Sequence, residues 1–228
     1  MTAAPGRRVL VVDVGGSHVK ILVTGDSEPR RADSGPRMTA EQMVAAVKKL
    51  GVDETWDCVS VGIPTPVHLG RILAEPINLG GGWVGFDFEA AFGAPVRVVN
   101  DAAMQALGSY DGGTMLFLGL GTGLGSALVG GGVVHPMELG HLPYRKATFE
   151  DYVGEAGLQR RGKNRWRKDV ADVVSRFQAA VEPDYIVLGG GNVDELDKLP
   201  SNCRRGDNGN AFVGGVRLWD DDPPARIL

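Results

Sequence analysis

The stretch Val9 to Val23, with the sequence VLVVDVGGSHVKILV, determines how the rest of the chain is interpreted. An apolar run rich in β-branched residues reaches a carboxylate at Asp13, turns through Gly15 and Gly16, and continues into a second apolar run that contains Lys20. This pattern predicts two short strands joined by a tight turn. A turn without side chains leaves backbone N–H groups able to point at an anion, so the stretch is either a phosphate cradle or an ordinary β-hairpin.

The composition is that of an ordinary globular protein. The 228 residues are 43% hydrophobic and 23% charged, which allows a packed core in one sizeable domain or two lobes. The formal net charge of -4 argues against a protein that binds nucleic acid or a membrane surface through bulk charge. Cys58 and Cys203 match no metal-ligand spacing and indicate reduced thiols. With no long apolar segment and no signal-like N terminus, the sequence predicts a cytoplasmic protein.

Glycine is the one residue type that departs from average composition, with 34 residues. The glycines stand in clusters at the ends of apolar runs rather than in a single serine-rich linker. This placement predicts turns at strand ends that backbone or ligand must approach closely.

Local signals define several helices. Thr39 opens a helix, because Gln42 lies three residues further on as a capping-box partner, and Gly51 ends it. A longer helix is predicted from Trp166 to Val181, where apolar residues share one side, and a closing helix from Ala211 to Leu218.

The pattern of the first half of the chain repeats in the second half. Leu10 to Val23 corresponds to Leu116 to Val129, and each hairpin is followed by a third strand, a helix, a strand and a helix. Two units that each present a glycine turn predict two facing lobes with a ligand held between them.

Five motifs occur in the order found in one protein family. They are DVGGSHVK at 13–20, Asn100-Asp101 after a strand, GTGLGSAL at 121–128, ELGH at 138–141 and VLGGGN at 187–192. With these motifs the chain resembles the ROK-type sugar kinases of the actin/hexokinase/Hsp70 ATPase superfamily, and most of all their glucokinase and polyphosphate glucokinase branch. The resemblance covers Val9 to Trp219.

The resemblance implies a fold and a domain division. The expected fold is α/β, with two ribonuclease H-like (actin-like ATPase) lobes, duplicated βββαβαβα units, a cleft between the lobes and a shortened second lobe. The N-terminal lobe would span residues 1–111 and carry the first phosphate loop and the catalytic Asp. The C-terminal lobe would span residues 112–228 and carry the second phosphate loop with sugar and nucleotide contacts.

The resemblance also implies a role for each motif residue. Asp101 would be the general base for the attacking sugar hydroxyl, and Asp13 would lie near a Mg²⁺ ion. The sugar-binding residues would be Asn100, Glu138, His141 and Glu150. The phosphate- and nucleotide-binding residues would be Asp13, Gly15, Gly16, Ser17, Lys20, Gly121, Thr122, Gly123, Gly189 and Gly190.

These residue types suit the implied chemistry. Phosphoryl transfer consists mostly of positioning and charge neutralisation, which backbone cradles and a metal ion beside a carboxylate supply. A carboxylate beyond a strand end can accept the proton of a sugar hydroxyl as the new bond forms. The expected protein is a Mg²⁺-dependent sugar kinase that uses ATP or polyphosphate and acts on the 6-hydroxyl of glucose or a related hexose. Its partners would be the sugar and the donor, with no nucleic acid and no membrane, and the family often forms homodimers.

Three features differ from the usual family pattern. His141 is followed by LPYRKATFEDY without a cysteine, so no structural zinc is expected. Thr65 stands where glycine is common, and Ser17 stands where threonine is more usual. The stretch between Glu150 and Val187 is short where most relatives carry extra helices. The sequence therefore does not decide whether the short second lobe keeps a working adenine pocket.

Two questions stay open from the sequence. The basic run QRRGKNRWRK at 159–168 is either a solvated loop and helix start or a track for a polyanionic donor such as polyphosphate. The chain is either a kinase or a sugar-binding, non-catalytic or regulatory ROK-like protein. A repressor of this family would place a helix-turn-helix domain before the sugar domain, and only eight residues precede Val9, so DNA binding is not expected.

Overall fold

Two large β-sheets, two small β-hairpins and seven α-helices form the described part of the chain, residues 6–220 and 226–227 of a computed structural model. The first half contains β1 (Val9–Val14), β2 (His18–Val23), β3 (Arg30–Asp33), α1 (Ala40–Leu50), β4 (Cys58–Ile63), β5 (Val67–His68), β6 (Arg71–Ile72), α2 (Phe88–Phe92), β7 (Val96–Asn100) and α3 (Asp101–Ser109). The second half contains β8 (Thr114–Leu120), β9 (Leu124–Gly130), β10 (Val133–Met137), β11 (Pro143–Tyr144), β12 (Ala147–Thr148), α4 (Phe149–Val153), α5 (Glu155–Arg161), α6 (Lys163–Val181), β13 (Tyr185–Gly189), β14 (Cys203–Arg205), α7 (Asn210–Arg217) and β15 (Arg226–Ile227). The pairs β5–β6 and β11–β12 form small hairpins outside the two large sheets.

The two large sheets have the same strand order. The first sheet runs β3-β2-β1-β4-β7, and the second runs β10-β9-β8-β13-β14 with β15 added beyond β10. In each sheet the first three strands form an antiparallel meander, and the fourth and fifth strands run parallel to the first. The predicted duplication and the two-lobed α/β fold class are therefore confirmed.

Helices of the first half begin and end where local chemistry predicts. The Thr39 side chain accepts a hydrogen bond from the Gln42 N–H, and the Gln42 side chain accepts one from the Thr39 N–H, which completes the capping box of α1. Asp87 caps α2, and Gly93 ends it with a left-handed φ of 72°. The Asn100 side chain caps α3.

The sequence pattern predicts no helix at α5 and no strand at β14 or β15. α5 ends at Gly162, whose φ of 73° breaks the helix, and α6 then begins at Lys163, ahead of the predicted start at Trp166. β14 and β15 are short edge strands without an apolar alternation of their own. Their pairing with β13 and β10 is set by the sheet that they join, which is why local propensity does not reveal them.

A shared hydrophobic core lies between the two sheets and is filled by α3 and α7. Val9 and Val11 of the first sheet and Met115 and Phe117 of the second face this core. Separate cores lie on the outer faces, beneath α1 and α2 on the first sheet and beneath α4 and α6 on the second. Each sheet is therefore covered on both faces, as parallel strands require.

α3 and α7 cross at glycines. A Cβ atom at Gly108 would lie 1.8 Å from the carbonyl oxygen of Asn210, and one at Gly214 would lie 1.8 Å from that of Met104. α7 also contacts β1 and β4, so the helix of the second half packs on the first sheet. The division into lobes at residues 111 and 112 stays a prediction.

The two cysteines are free thiols, as the sequence predicts. Burial raises the pKa of both Cys58 and Cys203 to about 11. Within residues 6–220 and 226–227, no helix has the length and apolar character needed to cross a membrane.

We predict that Gly214→Ala destabilises the protein, because its new methyl group would overlap the backbone of α3. Overpacking of this kind should lower the free energy of unfolding by about 3 kcal/mol. Thermal denaturation should show this as a fall in Tm of roughly 6 to 12 °C. Gly81→Ala is the matched control, because a Cβ at Gly81 meets nothing within 4 Å. An unchanged Tm for Gly214→Ala would contradict the close crossing.

Candidate active site

Asp101 lies directly after β7, at the first position of α3. Its Oδ1 accepts a hydrogen bond from the Ala102 N–H at 2.8 Å, and a Cβ at Gly62 of β4 would lie 3.5 Å from the Asp101 Cα. Burial first, and then the negative charges of Asp13 and Glu138, raise the pKa of Asp101 to about 7. Asp101 on α3 is therefore close enough to Asp13 on β1 and to Glu138 after β10 for their negative charges to act on it.

Asn100 is held by hydrogen bonds at both ends of its amide. Its Oδ1 accepts from the Ala103 N–H at 3.1 Å, and its Nδ2 donates to the Thr65 carbonyl oxygen at 3.2 Å. Thr65 is itself buried, and its hydroxyl donates to the Ala74 carbonyl oxygen. The second N–H of the Asn100 amide and a remaining lone pair are left to interact with a ligand.

Glu138, His141 and Glu150 come together from separate positions in the chain. His141 Nδ1 lies 3.8 Å from Glu138 Oε2, and His141 Nε2 lies 3.7 Å from Glu150 Oε1. Burial raises the pKa of Glu138, which His141 opposes and Glu150 reinforces. Since the three side chains are 53%, 60% and 37% exposed, respectively, a polar ligand can reach all of them.

The second glycine turn lies against this acidic group. A Cβ at Gly123 would stand 2.6 Å from Glu150 Oε2, so a larger residue there would displace that carboxylate from its present position. The N–H of Glu155 donates to the carbonyl oxygens of Gly121 at 2.8 Å and Thr122 at 3.3 Å. The turn and the Glu150 carboxylate are thus one packed unit.

Gly189 and Gly190 lie behind the second glycine turn. A Cβ at Gly189 would meet the ring of Phe117 at 2.8 Å, and one at Gly190 would meet the Leu120 carbonyl oxygen at 2.3 Å. Asn192 Nδ2 donates to the Gly121 carbonyl oxygen at 3.2 Å and ties this segment to the turn. The closest atoms to a Cβ at either glycine belong to β8 rather than to Glu138, His141 or Glu150.

Asp13 and Lys20 are cross-strand neighbours on β1 and β2. Burial raises the pKa of Asp13, and the positive charge of Lys20 opposes this rise. Lys20 also lines a groove of about 830 Å³ between β2 and α7, to which Phe212 and Val216 contribute. Lys20 is therefore a neighbour both of the Asp13 carboxylate and of a solvent-facing groove.

The first glycine turn is held from both sides. The Gly15 N–H donates to the His18 carbonyl oxygen at 2.9 Å, and the Ser34 N–H donates to the Ser17 carbonyl oxygen at 2.9 Å. Asn78 covers the turn, because its Cβ lies 3.2 Å from where a Cβ of Gly16 would be. The turn thus has a defined shape, as a preformed anion cradle needs.

Motif reasoning did not select Thr65, Asn78 or Asn192 as site residues. Asn192 stands inside the VLGGGN motif, which was an available signal. Asn78 opens a polar, glycine-rich passage, whereas Thr65 only follows a strand-end proline. Their contacts with Asn100, Gly16 and Gly121 depend on chain segments far away in sequence, so spacing alone does not identify them.

The basic run at 159–168 is engaged mostly in contacts within the protein. Arg161 pairs with the buried Asp169, Lys163 Nζ lies 2.5 Å from Glu195 Oε2, and Arg167 Nε donates to the Glu195 carbonyl oxygen at 2.5 Å. Trp166 is fully buried, and its indole N–H donates to the backbone. This geometry favours the predicted helix start over a track for a polyanionic donor, and the end of α5 stands where a solvated loop was expected.

Among the described residues, no group of three or more His, Cys, Asp and Glu side chains could hold a metal ion by itself.

Comparison with curated proteins finds sugar kinases, whereas no family model matches the chain. The chain is 26% identical over 254 residues to the bifunctional enzyme NanE/NanK of Brucella melitensis, covering 83% of this chain and 46% of that protein. It is 28% identical over 142 residues to the polyphosphate glucokinase of Mycobacterium tuberculosis, covering 56% of this chain and 54% of that protein. The chain therefore spans about half the length of the curated relatives that it matches.

Solved structures show the same fold over nearly the whole chain. The inorganic polyphosphate/ATP-glucomannokinase from an Arthrobacter species matches with a TM-score of 0.79 and 24% identity, covering 92% of this chain and 97% of that chain. A ROK family glucokinase from Streptomyces griseus, in complex with glucose and AMPPNP, matches with a TM-score of 0.74 and 17% identity, covering 92% and 98%. The resemblance that the motifs indicated is confirmed, and the chain has the two-lobed actin-like fold of the ROK-family sugar kinases.

Proposed function

We propose that this chain is a sugar kinase that transfers a phosphoryl group from ATP or polyphosphate to the 6-hydroxyl of glucose or a related hexose. The observation that carries the proposal is the position of Asp101 at the start of α3, where burial and the negative charges of Asp13 and Glu138 raise its pKa to about 7. A carboxylate with a pKa near 7 is suited to accept a proton at neutral pH. Carboxyl groups with such perturbed values concentrate at functional sites.

Asp101 would act on the acceptor. The deprotonated carboxylate would take the proton of the sugar hydroxyl as its oxygen attacks the transferred phosphorus. Because Asp101 opens α3 and its Oδ1 accepts the Ala102 N–H, the carboxylate is oriented by the helix backbone before the sugar arrives. Such preorganisation lowers the cost of reaching the reactive geometry.

Asn100, Glu138, His141 and Glu150 would bind the sugar. A hexose presents a ring of hydroxyl groups, each of which is both a donor and an acceptor. Two carboxylates, an imidazole and an amide supply that mixture, and the 3.7 Å separation between His141 and Glu150 lets neighbouring hydroxyls bridge them.

The two glycine turns would hold the phosphoryl donor. Backbone N–H groups of Gly16 and Ser17 in the first turn, and of Thr122 and Gly123 in the second, are the proposed phosphate contacts. The N–H groups of Gly15 and Gly121 donate to the carbonyl oxygens of His18 and Gly123 and so shape the two turns. Lys20 would neutralise donor charge beside Asp13. When the phosphoryl donor is the nucleotide ATP, Gly189 and Gly190 would contact it.

The carboxylate oxygens of Asp13, next to the first glycine turn, are of the type that binds a Mg²⁺ ion. Magnesium in phosphoryl-transfer sites is bound by one or two carboxylates together with substrate phosphates, so a three-residue protein cluster is not required. Asp13 would be its protein ligand. Burial raises the pKa of this carboxyl, and a bound cation would favour its charged form. When bound, the ion supplies charge neutralisation on the donor phosphates.

A matrix of donors and sugars tests the proposed function. ATP and polyphosphate are each supplied with Mg²⁺ and glucose, mannose or N-acetylmannosamine, and sugar phosphate is measured. We expect phosphorylation at the 6-hydroxyl with at least one donor. Sugar binding without phosphoryl transfer from either donor would replace the proposal with a non-catalytic sugar-binding protein.

Asp101→Asn should lower kcat at least about 100-fold, because the amide cannot accept the proton. The dissociation constant for glucose should change by less than about threefold, since the amide keeps the shape of the side chain. Asp33→Asn, at a side chain that is 97% exposed, is the control. An unchanged kcat in the Asp101 variant would contradict the role of this residue.

The same substitution has an expected effect on stability. The pKa of Asp101 is about 7 in the folded protein against an ordinary value of 3.8, so the free energy of unfolding falls as the pH rises through this window. Removing the carboxylate should therefore leave the Tm at pH 8 equal or higher. A lower Tm in Asp101→Asn would show that favourable contacts of the ionised carboxylate outweigh the cost of its desolvation.

The pH dependence of kcat/KM for glucose should report the titration of Asp101. The base acts only when it is ionised, so kcat/KM should fall about tenfold per pH unit below a pH of about 7. Residual activity of Asp101→Asn should lack this acidic limb. A wild-type profile that is flat between pH 5 and pH 8 would refute the assignment.

A further inference from the structure

The segment between His141 and Glu150 forms a hairpin. β11 pairs with β12 through Pro143–Thr148 and Tyr144–Ala147, and the Phe149 N–H donates to the Leu142 carbonyl oxygen at 3.1 Å. These contacts bring the two ends of the hairpin together. The side chains that flank it, His141 and Glu150, therefore lie 3.7 Å apart although nine positions separate them in sequence.

A hairpin of two two-residue strands is not stable by itself in water. Its place in the molecule has to come from contacts with other elements. Two consecutive side chains, Tyr144 and Arg145, attach it to α6.

Tyr144 is the buried attachment. It is 3% exposed, its hydroxyl donates to Asp172 Oδ2 at 2.6 Å, and its ring stacks on Phe149 with 4.9 Å between centroids. Burial and this hydrogen bond raise the pKa of Tyr144 to about 12, so the phenol keeps its donor proton at neutral pH. The same hydrogen bond lowers the pKa of Asp172. The pair is therefore a charge-assisted hydrogen bond, which is shorter and stronger than a neutral one.

Arg145 is the charged attachment. It sits at the hairpin turn with a left-handed φ of 56°, and its Nη1 lies 2.9 Å from Asp169 Oδ1. Asp169 is only 1% exposed, and Arg161 of α5 contacts its other oxygen. Removing one partner of a buried ion pair leaves a charge uncompensated, which is costly. Asp169 thus ties the hairpin, α5 and α6 to one another.

We propose that Tyr144, Arg145, Asp169 and Asp172, here called the hairpin anchor, position His141 and Glu150 for binding of the acceptor sugar. This inference rests on the proposed function, since it assigns the two flanking residues to the sugar. None of the four anchor residues touches the sugar in this proposal. They act by holding the hairpin on α6, and a displacement of about 1 Å at a binding group can lower a reaction rate as much as 100-fold.

Tyr144→Phe tests the anchor by removing one hydroxyl group while keeping the ring. We expect the dissociation constant and the KM for glucose to rise about tenfold, while the KM for the phosphoryl donor stays within about twofold. Tyr185→Phe is the matched control, because its buried hydroxyl accepts the Asp111 N–H at 2.9 Å away from the hairpin. The control should leave both constants unchanged.

Arg145→Asn tests the second attachment. Asparagine tolerates the left-handed conformation of this turn but is too short to reach Asp169. It should also weaken glucose binding about tenfold, and Arg145→Lys, which keeps the charge, should restore part of the affinity. Thermal denaturation of every variant separates a local effect from general loss of stability.

The outcomes distinguish the anchor from the kinase assignment. Glucose binding is measured by calorimetry without a donor, so the anchor is tested even where no phosphoryl transfer occurs. Wild-type protein that binds glucose but phosphorylates no sugar overturns the proposed function alone. Unchanged glucose affinity in both Tyr144→Phe and Arg145→Asn overturns the anchor alone, as does an equal loss in Tyr185→Phe. Wild-type protein that binds none of the tested sugars overturns both.

Discussion

The crossing of α3 and α7 is the constraint on which the two-lobed arrangement depends. Gly108 and Gly214 carry no side chains, so the two backbones come into direct contact and the core between the sheets closes around them. The Ser60 hydroxyl of β4 donates to the Gly215 carbonyl oxygen at 2.6 Å and ties α7 to the first sheet. Since α3 begins with Asp101, the packing that joins the sheets also determines where the proposed base lies.

The electrostatics of the site act against stability. Burial raises the pKa of Asp13, Asp101 and Glu138, which shows that the folded protein disfavours their charged forms. Ionised carboxylates placed this close would oppose folding at neutral pH unless cations or hydrogen-bond donors offset their negative charge. The proposed chemistry explains the arrangement. It needs one carboxylate, Asp101, to accept a proton and a second one close by, Asp13, to bind the ion that neutralises the phosphates.

Local signals predicted the elements whose ends are chemically determined. The capping box of Thr39 and Gln42 and the glycine turn of the first hairpin occur where the sequence indicates them. The basic run was ambiguous because its partners are distant or lie inside the protein. Arg161 meets Asp169, which is buried on α6, and Lys163 meets Glu195 beyond the next strand. Charge composition alone does not distinguish paired arginines and lysines from a free cationic surface.

The sequence by itself determined the duplicated plan, most of its strands and helices other than α5, β14 and β15, and the resemblance to ROK-type sugar kinases. These properties depend on apolar periodicity, cap residues and motif order, which are local. The resemblance implied that Glu138, His141 and Glu150 act together, but only the tertiary structure gave the distances between their side chains. It alone decided that α6 holds the hairpin between His141 and Glu150, and that the pKa of Asp101 lies near 7. Burial and charge interactions depend on distances in space, and residues far apart in the chain acquire those distances only when the two sheets pack around α3 and α7.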